Sequence, residues 1–147
     1  AFAIRRHVSA DLSLADWEEA NAFVDVEVGH SEFADERRFR ALTGREAARH
    51  LGEAVRARRN ILVAGGTSTG KTTLTNALLA EGGFCGERIV ILEDTRELAC
   101  PAANLVALRT QETRVTLRDL VRSTLRLRPD RIIVGEVRGA EALDLLK

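Results

Sequence analysis

Lysine is almost missing from this chain. Of its 22 basic residues, only Lys71 and Lys147 are lysine, and the rest are arginine. Net charge is missing too. The 22 acidic residues balance the 22 basic ones, so nothing indicates bulk affinity for nucleic acid, and no direct sequence-specific nucleic-acid binding is expected. Cysteine is scarce. Cys85 and Cys100 have neither metal-ligand spacing nor the look of a disulfide framework, and they read as free thiols of a reducing cytosol. No apolar run approaches the roughly 20 residues needed to cross a bilayer, and there is no signal-peptide pattern. His7, His30 and His50 have no metal-like spacing, and no serine–histidine–acid arrangement stands out. The guanine-reading pattern Asn/Thr-Lys-x-Asp is absent, which disfavours a GTPase. There are no internal repeats or low-complexity segments.

Against that background one stretch stands out. Gly65-Gly66-Thr67-Ser68-Thr69-Gly70-Lys71-Thr72 fits the phosphate-loop pattern G-x-x-x-x-G-K-S/T without mismatch. It is preceded by the apolar run Asn60–Ala64, which reads as a buried strand. It is followed by Thr72–Glu81, where Leu74, Ala77 and Leu78 share one helical face. Glycines allow the backbone to turn its N–H groups toward phosphates, and the helix start adds its positive end. Lys71 supplies a point charge for the β- and γ-phosphates, and the Thr72 hydroxyl is placed for Mg²⁺. Lysine at this position, in a chain that otherwise uses arginine, argues against a chance glycine turn.

The rest of the chain reads as alternating helices and strands. Residues 1–8 resemble a short strand or extended arm, and residues 10–36 carry nine acidic residues and no lysine or arginine. The bland reading of that bias is a solvated surface or interdomain linker. Within it, Leu12, Leu14 and Trp17 suggest a docked segment, and Val24, Val26 and Val28 a brief half-exposed strand. Thr43-Gly44-Arg45-Glu46 is a capping box that opens a helix ending at Arg56, Arg58 and Arg59. Arg88–Glu93, Asn104–Arg109 and Arg131–Gly135 read as further strands. Thr116 caps a helix whose apolar stripe is Leu117, Leu120, Val121, Thr124 and Leu125. Another helix is expected from Gly139 onward. The expected fold is α/β, a mostly parallel sheet flanked by helices. Residues 1–42 are assigned to the end of an N-terminal domain and a linker, and residues 43–147 to a partial α/β domain that carries the phosphate loop. The chain starts at Ala1 and closes inside a helical pattern, so it is expected to be part of a longer protein.

Ligands bind such sheets outside the carboxyl ends of the strands. Glu93 and Glu136 end two strands there, so each can hold a metal or its waters, or orient an attacking water. The alternative for each is a strand-end carboxylate that caps a helix or pairs with arginine. Glu97 is a weaker candidate. Arg118, Arg122 and Arg126, spaced by four along one helix, read as a solvated face; Arg138 is placed to face either the nucleotide or a neighbouring subunit, and Arg5 and Arg6 are candidate fingers from outside the core.

Three stretches taken together resemble the secretion traffic ATPases of type II and type IV secretion, pilus and conjugation machines, with the conjugal-transfer and type IV branch nearest. They are Ile61–Thr73, Ile91–Leu98 and Leu125–Gly139. The resemblance implies a RecA-like P-loop core, incomplete at its C-terminal side, and ATP hydrolysis with Mg²⁺. It also implies a homo-oligomer, a hexameric ring, that works with secretion or conjugation components in the cytoplasm at the inner membrane. By motif, Gly65, Gly66, Thr67, Ser68, Thr69, Gly70, Lys71, Thr72 and Thr73 form the nucleotide-binding loop. Lys71, Glu93 and Glu136 are the catalytic candidates. Thr72 and Glu136 are the metal-side residues, Glu136 through water. Arg5 or Arg6 stands where the family has arginines that reach the nucleotide from the N-terminal side. The family often has Gly-Ser where this chain has Ser68-Thr69, and its downstream histidine box is not in the sequence. Two rivals remain open at this stage. One is a nucleotide-binding interaction module without turnover. The other is a kinase, for which no acceptor pocket is legible.

Overall fold

A computed structural model supplies the fold, and it describes residues 12–23, 26–30, 38–111, 114–137 and 139. The organising layer is a three-stranded parallel sheet. Its strands are β3 (Arg88–Glu93), β4 (Asn104–Arg109) and β5 (Arg131–Val134), in the order β4-β3-β5. Arg88 to Glu93 register against Asn104 to Arg109 on one side, and Ile89 to Leu92 against Arg131 to Val134 on the other. These three strands fall where their β-branched apolar runs predict them. β3 is the centre. Ile89, Val90 and Leu92 are fully buried and Ile91 nearly so, which is what a strand covered on both faces requires.

Successive β3 side chains point to opposite faces, and each face has its own helix. Ile89 and Ile91 pack with Leu79, Phe84 and Leu98 on the side of α3 (Lys71–Ala80). Val90 and Leu92 pack with Leu120 and Val121 on the side of α4 (Leu117–Thr124). A single turn of 3-10 helix, Leu125–Leu127, ends α4. Asp130 then closes the way into β5. Its carboxylate accepts from the Arg88 N–H at 2.7 Å, and its own N–H donates to the Arg88 carbonyl at 2.9 Å.

The second apolar cluster lies on the other side of α3. Ala77 and Leu78 meet Val55 and Ala48 of α2 (Gly44–Arg56) and Leu14 of α1 (Leu14–Glu19). Three helices start the same way. Ser13, Thr43 and Thr116 each accept from the N–H three residues on, and Asp16, Glu46 and Asp119 return the bond to the cap's own N–H. Each such box satisfies two of the otherwise orphaned donors at a helix start. Before α2, β1 (Val26–His30) pairs antiparallel with β2 (Arg38–Leu42). The valine alternation predicted a strand in this region, but its partner β2 was not expected, and neither was the helical form of α1.

One expected element is different. Asn60–Ala64 is not a strand, and it is not buried: Leu62 is 89% exposed and Ile61 39%. An apolar run does not carry its own hydrogen-bond partners, and a strand needs a neighbour for its N–H and C=O groups. No described strand pairs with this run, and β5 is an edge strand among the described residues. Only Val63 turns inward, against the α1–α2–α3 cluster. The expected arm at residues 1–8, Val24, Arg138 and the helix beyond Gly139 lie outside the described residues.

A charged clamp ties α2, the approach to β3 and the start of β5. The Arg131 guanidinium bonds Glu87 and the Val55 carbonyl and lies 5.1 Å from the centre of the Phe84 ring. Arg58 reaches the same carboxylate at 2.9 Å. The hydrogen bond from Arg131, with help from Arg58, holds the Glu87 carboxyl below its usual range. A carboxyl depressed in the folded state stabilises the fold above its unfolded value, and that contribution disappears as pH falls through the folded value. Glu87→Gln should therefore lower stability at pH 7 and flatten the fall in stability on acidification below about pH 4.5. Urea unfolding midpoints of both proteins, followed from pH 7 to pH 3, check this.

Candidate functional site

The phosphate loop spans the exposed turn between Val63 and α3. Gly70 stands at the N-cap of α3 with φ of 86°, a left-handed conformation that glycine takes without strain. A Cβ at Gly65 would come within 2.7 Å of the Thr69 hydroxyl, so the loop also needs glycine there for space. Ser68 takes a positive φ of 61°. The Thr69 hydroxyl donates to the Gly66 carbonyl at 2.9 Å, and the Lys71 ammonium donates to the same oxygen at 2.6 Å. The loop thus curls around one carbonyl, with the lysine drawn across it.

Among the described residues no side chain caps α3. This contrasts with α1, α2 and α4, whose first turns are closed by capping boxes. The first amides of a helix have no intrahelical acceptor and carry the positive end of the dipole, so they suit an anion. Thr72 and Thr73 follow on the first turn, both half-buried.

The carboxylates come from the end of β3 and the turn after it. Glu93 is 3% exposed, and its Oε1 accepts from the Glu97 and Leu98 N–H groups at 2.8 and 2.7 Å. A buried carboxylate needs such donors. The bonds fold residues 94–98 back over the strand end and carry Glu97 to α3, where its Oε2 accepts from the Thr72 hydroxyl at 3.1 Å. Asn76, one turn beyond Thr72 on the same face, fastens the turn further. Its amide donates to the Glu97 carbonyl at 3.2 Å, and its oxygen accepts from the Ala99 N–H at 3.0 Å.

The end of β5 meets the same corner. The Gly135 N–H donates to the Leu92 carbonyl at 2.9 Å, and a Cβ at Gly135 would lie 3.3 Å from the Glu93 Cγ. Glu136 comes next and is exposed. The structure thus brings Lys71 onto the loop, Thr72 onto Glu97, and Glu93 against Gly135. Arg118, Arg122 and Arg126 are all exposed, as expected of a solvated face. Cys85 and Cys100 are free thiols, and burial pushes the Cys100 thiol up.

Glu97 is more central here than its sequence position implied, and Asn76 went unread. Its signal was a lone amide in the run Leu74–Leu79, four residues after Thr72 and therefore on the same helical face. The Thr72 hydroxyl and the Glu97 carboxylate are adjacent hard oxygen donors, which suits Mg²⁺, an ion commonly held by one or two protein oxygens plus phosphate. Among the described residues no group of three or more His, Cys, Asp or Glu side chains forms an all-protein metal cage.

Comparisons with known proteins place the chain among secretion and conjugal-transfer proteins. The conjugal transfer protein TrbB of Rhizobium radiobacter is 42% identical over all of this chain, which spans 40% of that protein. The type IV secretion system protein VirB11 of Bartonella quintana is 39% identical over 69% of this chain and 30% of its own length. Among solved structures, the VirB11 ATPase of the Brucella suis type IV secretion system, crystallised in complex with sulphate, matches 95% of this chain and 35% of its own. Its TM-score is 0.63 at 33% identity. The chain therefore spans well under half the length of these relatives. The model of the Type II/IV secretion system protein family matches residues 39–147, and the chain belongs to that family.

Proposed function

We propose that the protein containing this chain hydrolyses ATP to drive protein or DNA transport in a type IV secretion or conjugation machine. The observation that carries this reading is the uncapped start of α3, with Lys71 and Thr72 on its first turn and Glu97 bonded to Thr72. The relatives named for conjugal transfer and type IV secretion support the machine, and the neighbour named as an ATPase supports the hydrolysis. No described helix is long and apolar enough to cross a membrane, and the location we propose, from the secretion relatives, is the cytoplasmic side of the inner membrane. A homohexamer is the assembly we infer.

In this reading the amides at the start of α3 and the loop N–H groups hold the β- and γ-phosphates. Lys71 exchanges the Gly66 carbonyl for a phosphate oxygen, a stronger charge-assisted partner. Mg²⁺, when bound, neutralises charge between the phosphates. Thr72 would hold it directly and Glu136 through water, with Glu97 orienting the Thr72 hydroxyl. Glu93 sets the attacking water, and the two amides on its Oε1 fix the plane of its carboxylate. Arginines from the same or a neighbouring subunit complete the charge stabilisation. That contribution is worth roughly 10³–10⁵ in rate where arginine fingers are known.

Lys71→Ala should lower kcat for ATP by at least about 10²-fold, the cost typical of losing one transition-state charge partner. Phosphate release from the intact protein measures it, and undiminished turnover would refute the assignment. A nucleotide-binding module without turnover is separated by Glu136→Gln. An ATPase with this substitution keeps nucleotide affinity and loses hydrolysis, whereas a pure binding module releases no phosphate even unmutated. Asn76→Ala frees the turn that carries Glu97, and should raise the Mg²⁺ concentration needed for half-maximal turnover while leaving the circular dichroism spectrum unchanged.

A further inference from the structure

Trp17 belongs to the phosphate loop although it lies 53 residues before Gly70, on a helix that precedes the family match at residues 39–147. A Cβ placed on Gly70 would sit 3.4 Å from the outer carbon of the indole ring, Cη2, so the ring covers the side of Gly70 where a side chain would be. Leu74 and Val63, which flank the loop in sequence, pack with Trp17 against the same buried cluster. Phe23 lies 5.9 Å away, centroid to centroid, and backs the ring. The helix that carries Trp17 is anchored at both ends: Leu14 is 3% exposed, and Glu18 bonds Arg45 on the first turn of α2 at 3.0 Å. The indole Nε1 is buried without a hydrogen-bond partner among the described residues. A buried unmet donor is a cost to the fold, so the ring occupies this place for its shape and not for its N–H.

From this contact we infer that Trp17 is a positioning residue for nucleotide binding. It buttresses Gly70 in the left-handed conformation that aims the first amides of α3, and so presets the loop before phosphate arrives. The inference rests on the phosphate-loop reading above and adds to it a determinant from outside the family-matched segment. A group that presets a binding loop acts on affinity, while chemistry at the phosphorus is left to Lys71 and the carboxylates. Its loss should therefore appear in KM far more than in kcat.

The test uses the intact protein and three forms of it. Trp17→Ala should raise KM for ATP about tenfold with kcat within about twofold of the unmutated value. Trp17→Phe keeps a flat ring without the unmet N–H and should restore KM to within about twofold. The difference in indole emission between the unmutated protein and Trp17→Phe isolates residue 17. That difference should change when ADP saturates the site, and this reading does not depend on how the alanine variant folds. An unchanged KM in a folded Trp17→Ala protein, or a difference emission indifferent to ADP, overturns the inference while the ATPase reading stands. If the unmutated protein neither binds nor hydrolyses ATP, both fall together.

Discussion

A buried carboxylate at the end of the central strand sets the geometry of the site. Glu93 is almost wholly out of water, and it remains there because two consecutive amides of the following turn point at one of its oxygens. An unpartnered carboxylate at such depth would cost several kcal/mol or take up a proton. The turn therefore has to fold back, and folding back is what delivers Glu97 to Thr72. Asn76 repeats the device from the helix side by bonding the backbone on both sides of Leu98. A sheet, a loop and a helix are locked into one corner by a few polar groups whose burial leaves them little choice of partner.

α3 is the element that couples this corner to the rest. One flank, through Leu79, covers the sheet, and the other, through Ala77 and Leu78, closes the α1–α2 cluster. Four consecutive residues of it, Asn76 to Leu79, are buried. A helix held on two sides cannot shift without disturbing both clusters, so its amino end is held in place. The lack of a side-chain cap at that end is the exception among the four described α-helices, and it leaves the first amides of α3 without a side-chain acceptor.

Much of the frame was legible because its signals are local. The branched apolar runs of β3, β4 and β5, the Thr43 and Thr116 capping boxes, and the glycine spacing of the loop each encode their own conformation. What was missed depends on partners. Asn60–Ala64 looks like a buried strand by composition, yet strand formation needs a neighbouring edge, and composition says nothing about edges. β2 hid behind its arginines. The Ser13–Asp16 box was present but opens only six residues of helix, too few for periodicity to register. Glu93 showed the reverse difficulty. Its place at a strand end was clear, whereas its commitment to two amides depends on a turn whose path no pattern reveals. The part played by Trp17 was invisible for the same reason, since packing across that separation leaves no periodic trace.

The position of β5 has a further consequence. Its outer side carries no ladder among the described residues. An open strand edge offers amides and carbonyls along which identical molecules can pair. Anyone isolating this segment by itself should expect solubility to fall as it is concentrated, with the losses arising from intermolecular sheet growth instead of from any weakness in the sheet's interior.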